Sequence, residues 1–351
     1  MSGVRKSSRS KGGSSSWQDH DEASHGEDLE EYKRPRHEKP SADSLVSLRR
    51  ARKRTISIGV CASMLDSLKG EGAKHRVIAQ VARAAAIFRV NEIVIIDDAY
   101  KNSGFSVSKD ANLFKLILDY LDCPQYLRKI SFRVCLELKH VGVCPPIDAA
   151  HHVRMTDEVP YRDGVVTGKV GSSLYLNVGL REDLCISEAS ATTANNTDRQ
   201  LDFSLNPSDL KEGSRVTVRM ADKVLVDRDA PRREAGLYWG YTTRIAPCLS
   251  STIAECPYKR GYDLTVGTSE RGDSIEAVDQ LGKFRHLLIM FGGPKGLEHA
   301  LAQDSLLREL DDPKYVFDRY LNTCPAQGSR TIRTEEAVLI SLATMQRFFW
   351  Q

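Results

Sequence analysis

The run HLLIMFGGPKGLE, residues 286–298, sets the reading of this chain. Its first half is an unbroken apolar stretch, fit for a strand buried on both faces. Its second half turns polar and glycine-bearing. Two neighbours share that form: YDLTVGTSERG (262–272), and NTCPAQGSRTIRTEEA (322–337), which leads into a final helix. In a parallel sheet, ligands bind beyond the carboxyl ends of the strands. The loops Gly267–Gly272, Phe291–Glu298 and Asn322–Ala337 are therefore expected to converge on one pocket. Glycines there let main-chain groups approach a flat ligand closely. Thr334 is the expected N-cap of the last helix, with Glu335 and Glu336 suited to its first turn.

The same rhythm opens the folded part. TISIGV (55–60) and EIVIIDD (92–98) read as buried strands. Between them Val77, Ile78, Val81, Ala82, Ala85 and Phe88 form a helical stripe, and a second amphipathic helix is expected over 112–121. Strand–helix alternation of this kind makes a parallel α/β sheet. From residue 164 the pattern changes to GVVTGKV, SLYLNVGL, RVTVRM and KVLVDR, short strands with turn signals, interrupted by SEASATTANNTDRQ (187–200), a loop. That is the pattern of a small all-β module, most simply an OB-like barrel. After Trp239 the α/β rhythm returns, with a strand in YWGYTTRIA and helices near 250–255, near 274–283 and from 335. The expected organisation is a basic and acidic tail (1–53), a first α/β part (54–145), an inserted OB-like β domain (146–236) and a second α/β part (237–351).

The chain has 351 residues with 41% hydrophobic and 28% charged, a globular balance. No run approaches the about 18 apolar residues that a membrane span needs, and the N-terminal stretch has no apolar core of a secretory signal. Eight cysteines without a CxxC pair argue against a disulfide framework or a cysteine zinc site. His140, Cys144, His151 and His152 fit no zinc spacing, so no metal is expected. Net charge is only +3, but residues 1–54 carry 13 Lys or Arg against 9 Asp or Glu. The clusters Lys33–Arg36 and Arg49–Arg54 look like nuclear-import or RNA-contact segments. GVVTGKV lacks the spacing of a phosphate loop, and the absence of GxGxxG disfavours a Rossmann-type enzyme. Asp97 and Asp98 either cap a strand end or face substrate.

GSRTIRTEEA, with FGGPKGLE upstream, resembles the SPOUT superfamily of knotted RNA methyltransferases. It is similar to bacterial small-subunit rRNA uridine-N3 methyltransferases. It looks closer still to the eukaryotic and archaeal group with an inserted OB-like domain, to which a human centromere-associated methyltransferase belongs. The resemblance covers about residue 54 to the end. It departs from many relatives at Cys61 and Ala62, where they have Pro and Gly, and at Pro294 and Lys295.

The resemblance implies an α/β trefoil knot interrupted by the β insert, a homodimer, and S-adenosyl-L-methionine bound among the three loops. Carried over, Thr268, Ser269, Glu270 and Arg271 form one wall, and Gly292, Gly293 and Gly296 a second. Asn322, Thr323, Cys324, Pro325, Gln327, Gly328, Ser329, Arg330, Thr331 and Ile332 form the third. The final helix packs behind through Val338, Leu342, Met345 and Phe349. The expected activity is methylation of RNA, with rRNA uridine N3, in the large subunit, the favoured target. Alternatives are another base, such as guanosine N1, or a non-catalytic RNA-binding scaffold at the spindle or centromere. Arg271, Arg330 and Arg333 are candidate cations for the anionic ring that N3 methylation requires; no general base can be named. RNA contacts are expected from the insert, from Arg232–Arg233, and from Tyr175, Tyr238 and Trp239. The expected location is the nucleus or nucleolus.

Overall fold

The computed structural model describes residues 53–99, 106–171, 173–187 and 209–349. The expectations for the tail (1–53) and for the 187–200 loop therefore fall outside the described residues, apart from Lys53 and Ser187. Two sheets organise the rest. The first has six strands, all parallel, in the order β11-β9-β10-β1-β2-β8. Its members are β1 (Thr55–Cys61), β2 (Glu92–Ile96), β8 (Thr242–Ala246), β9 (Leu264–Ser274), β10 (His286–Phe291) and β11 (Arg319–Asn322). The second has five antiparallel strands in the order β5-β4-β3-β6-β7. These are β3 (Tyr161–Val170), β4 (Ser173–Asn177), β5 (Leu184–Ser187), β6 (Arg215–Arg219) and β7 (Val224–Val226).

The central strands β1, β2 and β10 are buried throughout and mostly apolar because helices cover both faces of the first sheet. Side chains alternate along a strand, so β10 sends Leu287, Ile289 and Phe291 into one core and Leu288 and Met290 into the other. The first core is closed by α1 (Glu71–Ile87), α2 (Lys109–Asp122) and α7 (Thr334–Phe349). The second is closed by α5 (Leu249–Ala254) and α6 (Gly296–Gln303); short helices α3 (Arg128–Ser131) and α4 (Ala230–Ala235) lie between sheets in sequence. The expected stripe of α7, Val338, Leu342, Met345 and Phe349, is buried in the first core. The antiparallel sheet has its own core of Val166, Leu174, Leu176, Val178, Ile186, Val216, Val218 and Leu225.

Four expectations need correction. No helix forms over 274–283: β9 runs to Ser274, a single 3-10 turn follows (Ile275–Ala277), and Gly282 sits at φ 99°, which a helix cannot accommodate. Thr334 is the first residue of α7 rather than its cap. The reciprocal contact comes instead from Glu336, whose Oε2 accepts from the Arg333 amide at 2.9 Å. Trp239 is 4% exposed and donates through Nε1 to Asp163 (2.7 Å), so it is core and not a stacking platform. Tyr238 is likewise tied inward, its hydroxyl donating to the Val90 carbonyl at 2.9 Å. Tyr175, at 37% exposure, keeps an open ring.

A buried polar cluster joins the two sheets. The Asp122 carboxylate, at the end of α2, accepts from Arg228 (2.7 Å), Arg215 (3.0 Å) and the Tyr241 amide (3.2 Å). Arg215 reaches on to Asp163 of β3, which also accepts from Thr217 (3.0 Å). His151 and His152 both bond the Asp122 carbonyl, at 2.7 and 3.0 Å, which gives these histidines a structural role. Gly240, at φ 75°, passes so close that a Cβ there would strike Asp122 and His151.

Candidate functional site: the carboxyl edge of the parallel sheet

Because β11, β9 and β10 are neighbours, their three following segments do emerge along one edge. The first of them is not a loop after a strand. Along β11 the consecutive residues Tyr320 and Leu321 pair with Gly267 and Asp273 of β9. Thr268–Gly272 are thus an excursion that leaves the β11 ladder and rejoins it, with Thr268 still paired to Phe291 of β10. Gly272 is where the returning chain meets β11: a Cβ there would lie 2.5 Å from the Leu321 carbonyl carbon.

The walls are stitched to one another. Thr268 Oγ1 donates to the Met290 carbonyl (2.8 Å), binding the excursion to β10. Asn322 Nδ2 donates to the Glu270 carbonyl (3.0 Å), binding the third wall to the first. Arg271 lies 3.4 Å from Glu298 of α6. Thr334 Oγ1 donates to the Gly292 carbonyl (2.9 Å), and Thr323 shares a hydrogen bond with Ser341 of α7 (2.7 Å).

The second wall, Gly292, Gly293 and Gly296, is packed tightly against the protein itself. FGGPKG folds into a tight turn, with the Gly296 amide donating to Gly293 (2.9 Å) and Gly296 at φ 76°. A Cβ on Gly292 would lie 2.5 Å from the Leu297 nitrogen, and one on Gly293 would overlap the Ser63 hydroxyl. Both glycines are thus required by the protein's own packing. Gly328 faces open space.

Ser63, which the sequence did not single out, joins Asp98 and Cys61 at this edge. Asp98, just past β2, accepts from the Ser63 amide (3.0 Å) and from the Ser63 hydroxyl. It clamps the turn after β1 beside Gly293. Burial and the Asp98 charge both raise the Cys61 thiol well above its usual range, so Cys61 is an inert packing residue. Asp97 turns away, accepting from the Ser108 amide at the start of α2 (2.7 Å). Both aspartates act as strand-end clamps.

Of the candidate cations, Arg271 is 75% exposed and shares Glu298. Arg330 and Arg333 are exposed as well, and among the described residues neither guanidinium forms an ion pair. Arg333 meets Glu336 only through its main-chain amide.

The family model described as "Putative RNA methyltransferase" matches residues 55–345. The chain belongs to this RNA methyltransferase family. It is 40% identical over 320 residues to the human "28S rRNA (uridine-N(3))-methyltransferase", covering 85% of this chain and 79% of that one. The Drosophila melanogaster protein of the same name is also 40% identical over 320 residues, covering 83% of this chain. The chain spans 62% of that relative's length. The SpoU methyltransferase AviRb from Streptomyces viridochromogenes aligns over 86% of this chain and 60% of its own, with TM-score 0.33 and 9% identity, a likeness too slight to carry the fold.

The third wall fits the cofactor such a methyltransferase uses. Among the described residues, the amides of Gly328, Ser329, Arg330 and Ile332 engage no protein group. Main-chain donors not committed to the fold are available to a ligand that displaces their water. Donors beside the open space at Gly328 suit the edge of an adenine. Internal bonds, Gln327 Nε2 to the Ser329 carbonyl (2.9 Å) and Ser329 Oγ to the Thr331 carbonyl (2.8 Å), hold this segment in shape. Among the described residues no His/Cys/Asp/Glu group is placed to hold a metal ion, and no helix is long and apolar enough to cross a membrane.

Proposed function

We propose that this chain methylates large-subunit rRNA at uridine N3, with S-adenosyl-L-methionine as methyl donor. The observation that carries the reading is the 40% identity over 320 residues to the human and Drosophila proteins named as uridine-N3 methyltransferases, with the family match over residues 55–345. When bound, S-adenosylmethionine supplies an activated methyl group. The protein's share is to hold the cofactor between the 268–272 excursion, the turn at Gly292–Gly296 and the Asn322–Ile332 segment, and to present uridine N3 in line. The N3 position must also lose its proton. Arg330 and Arg333 carry charge at the rim without a carboxylate to neutralise it, which favours the anionic ring. Arg271, shared with Glu298, serves chiefly to tie the first wall to α6.

The proposal extends to the assembly and its setting. The strand order β11-β9-β10-β1-β2, with α7 bonded to Gly292 behind the site, supports a trefoil-knotted core. The pairing of β3 with both β4 and β6, and of β7 with β6, supports an OB-like insert within 146–236, between α/β parts at 54–145 and 237–351. A homodimer and a nuclear or nucleolar location, directed by the basic clusters of the tail, complete the reading.

The test is nucleoside mass spectrometry of large-subunit rRNA from cells lacking the gene. 3-Methyluridine should disappear from one position and return with the wild-type chain, but not with an Arg330→Ala/Arg333→Ala variant. Persistence of that nucleoside while another methylated base is lost would move the target; no change at all would leave the scaffold reading standing.

A further inference from the structure

The opposite edge of the parallel sheet carries a second polar feature that methyl transfer does not use. Two adjoining crevices open where the strands begin. One is lined by Arg54, Arg89, Asn91, Arg232 and Tyr238; the other by Asn91, Arg228, Asp229, Arg232 and Trp239. Each encloses only about 10 Å³, room for about one water-sized group. Neither buries a cofactor-sized molecule, so a ligand here is held across the mouth by the side chains that line it.

Charge decides which group. Four arginines face these crevices against one aspartate. Arg228 is answered from behind by Asp122 at 2.7 Å, and Arg232 by Asp229 at 3.5 Å. Arg54 and Arg89 have no carboxylate partner among the described residues. Arg54 donates to the Phe349 carbonyl (3.3 Å) and lies over the Phe284 ring, while Arg89 reaches only the Gly236 carbonyl at 3.5 Å. Carbonyl contacts orient a guanidinium without neutralising it. Arg89 is moreover held in the left-handed region, at φ 59°, and lines the first crevice.

We propose that this arginine-lined crevice, between the α4 segment and the start of β1 and β2, binds a backbone phosphodiester of the RNA substrate. The planar fork of a guanidinium matches phosphate geometry, and phosphate contacts fix register while base contacts specify. The crevice lies at the far end of β1 from the methyl-transfer edge, about 20 Å away at about 3.3 Å per residue. It therefore holds the strand several nucleotides from the target and sets which base reaches the pocket. This inference rests on the RNA-methyltransferase reading above and adds to it the path of the strand.

The experiment measures binding of a fluorescently labelled uridine-loop RNA hairpin to the full chain across a salt series. Arg54→Gln and Arg89→Gln should each weaken binding and reduce the slope of log K against log salt by about 0.7–0.9. Arg54→Lys and Arg89→Lys should restore most of that slope. Binding of S-adenosylhomocysteine and the melting temperature report on folding and should be unchanged in Arg89→Gln, which removes only one long contact. Wild-type binding with an unaltered slope in both glutamine variants would overturn the site and leave the RNA reading intact. Failure of the wild-type chain to bind the hairpin would overturn both. Calorimetry with inorganic phosphate separates the sources: phosphate binding lost in Arg89→Gln, with no change in RNA slope, would make this a free-anion site and overturn the proposal.

Discussion

Asn322 spans the sheet edge to bond the Glu270 carbonyl, its side-chain amide 3.0 Å from an oxygen 52 residues earlier in the chain. The same side chain accepts from the Cys324 amide at 3.0 Å. One residue thus fixes both the crest of the excursion and the first turn of the third wall. Asn322→Ala should leave the fold intact and weaken S-adenosylhomocysteine binding by up to about tenfold, the equivalent of one well-made hydrogen bond. Isothermal calorimetry checks this; an unchanged affinity would separate the stitch from the pocket.

Two glycines should respond in opposite ways. Gly292→Ala places its methyl 2.5 Å from the Leu297 nitrogen, against backbone that cannot yield cheaply. It should destabilise by about 1–3 kcal/mol and lower the melting temperature. Gly328→Ala meets nothing within 4 Å and should leave stability alone while weakening cofactor binding. Equal melting temperatures for the two variants would contradict the packing described at the second wall.

Neutralising the rim cations should affect turnover more than binding. Arg330→Ala and Arg333→Ala are each expected to lower kcat about tenfold or more, as for a charge that acts on the transition state. S-adenosylhomocysteine affinity should change far less. The wild-type rate should climb with pH as the imino proton is released more readily. Equal losses in kcat and cofactor affinity would make these arginines binding groups.

Acid should act first on the polar cluster between the sheets. Desolvation, and then the His151 charge, lower the His152 pKa from 6.5 to about 4. Folded His152 stays neutral where the unfolded chain takes up a proton, so stability falls as pH drops from about 6.5 towards about 4. Desolvation pushes Asp122 the other way, but Arg228 and Arg215 outweigh it and hold its carboxyl well below the ordinary carboxylate range. The stability from Asp122 is complete above the unfolded carboxylate value, about 3.9, and is lost below it as pH falls towards the folded pKa. Urea titrations from pH 7 to pH 4 should show the first fall, and His152→Asn should flatten it.

Removing the carboxylate should be severe. Asp122→Asn leaves half-buried Arg228 against a neutral amide and half-buried Arg215 with Asp163 alone, for which up to about 3–5 kcal/mol is expected. The melting temperature checks this, and a loss under about 1 kcal/mol would show that solvent reaches the pair.

The strands that could be read directly are those buried on both faces, β1, β2 and β10, because their apolar runs need no partner to be recognised. β11 escaped because RYLN is short, polar and at the sheet edge, with one fully buried residue. α6 escaped because GLEHALAQ spans eight residues behind a glycine turn. The converging loops were legible from glycine and position, and their membership of one edge follows from strand order. The excursion in β9 was not, since pairing of Tyr320 and Leu321 with residues six apart is a property of register. The Asp98–Ser63 clamp has the same origin: 35 residues separate the two, and the ladder of β1 with β2 brings them together.

The parallel sheet is closed by its two ends. β1 needs β10 beside it, and the hydrogen-bonded pair Thr55 and His286 are 231 positions apart. The antiparallel sheet pairs strands much nearer in sequence, as in Thr167 and Tyr175, eight positions apart. Local pairings form early and distant ones late. During synthesis the insert can complete its sheet while β1 still presents a bare apolar edge, waiting for the last quarter of the chain. That interval is the exposure in which a nascent chain is vulnerable to aggregation. Pulse-labelled amide exchange during refolding should protect β3 and β4 before β1, and the reverse order would place nucleation in the parallel sheet instead. Truncation before β10 should be disproportionately harmful for the same reason, leaving a finished insert on a core that cannot close.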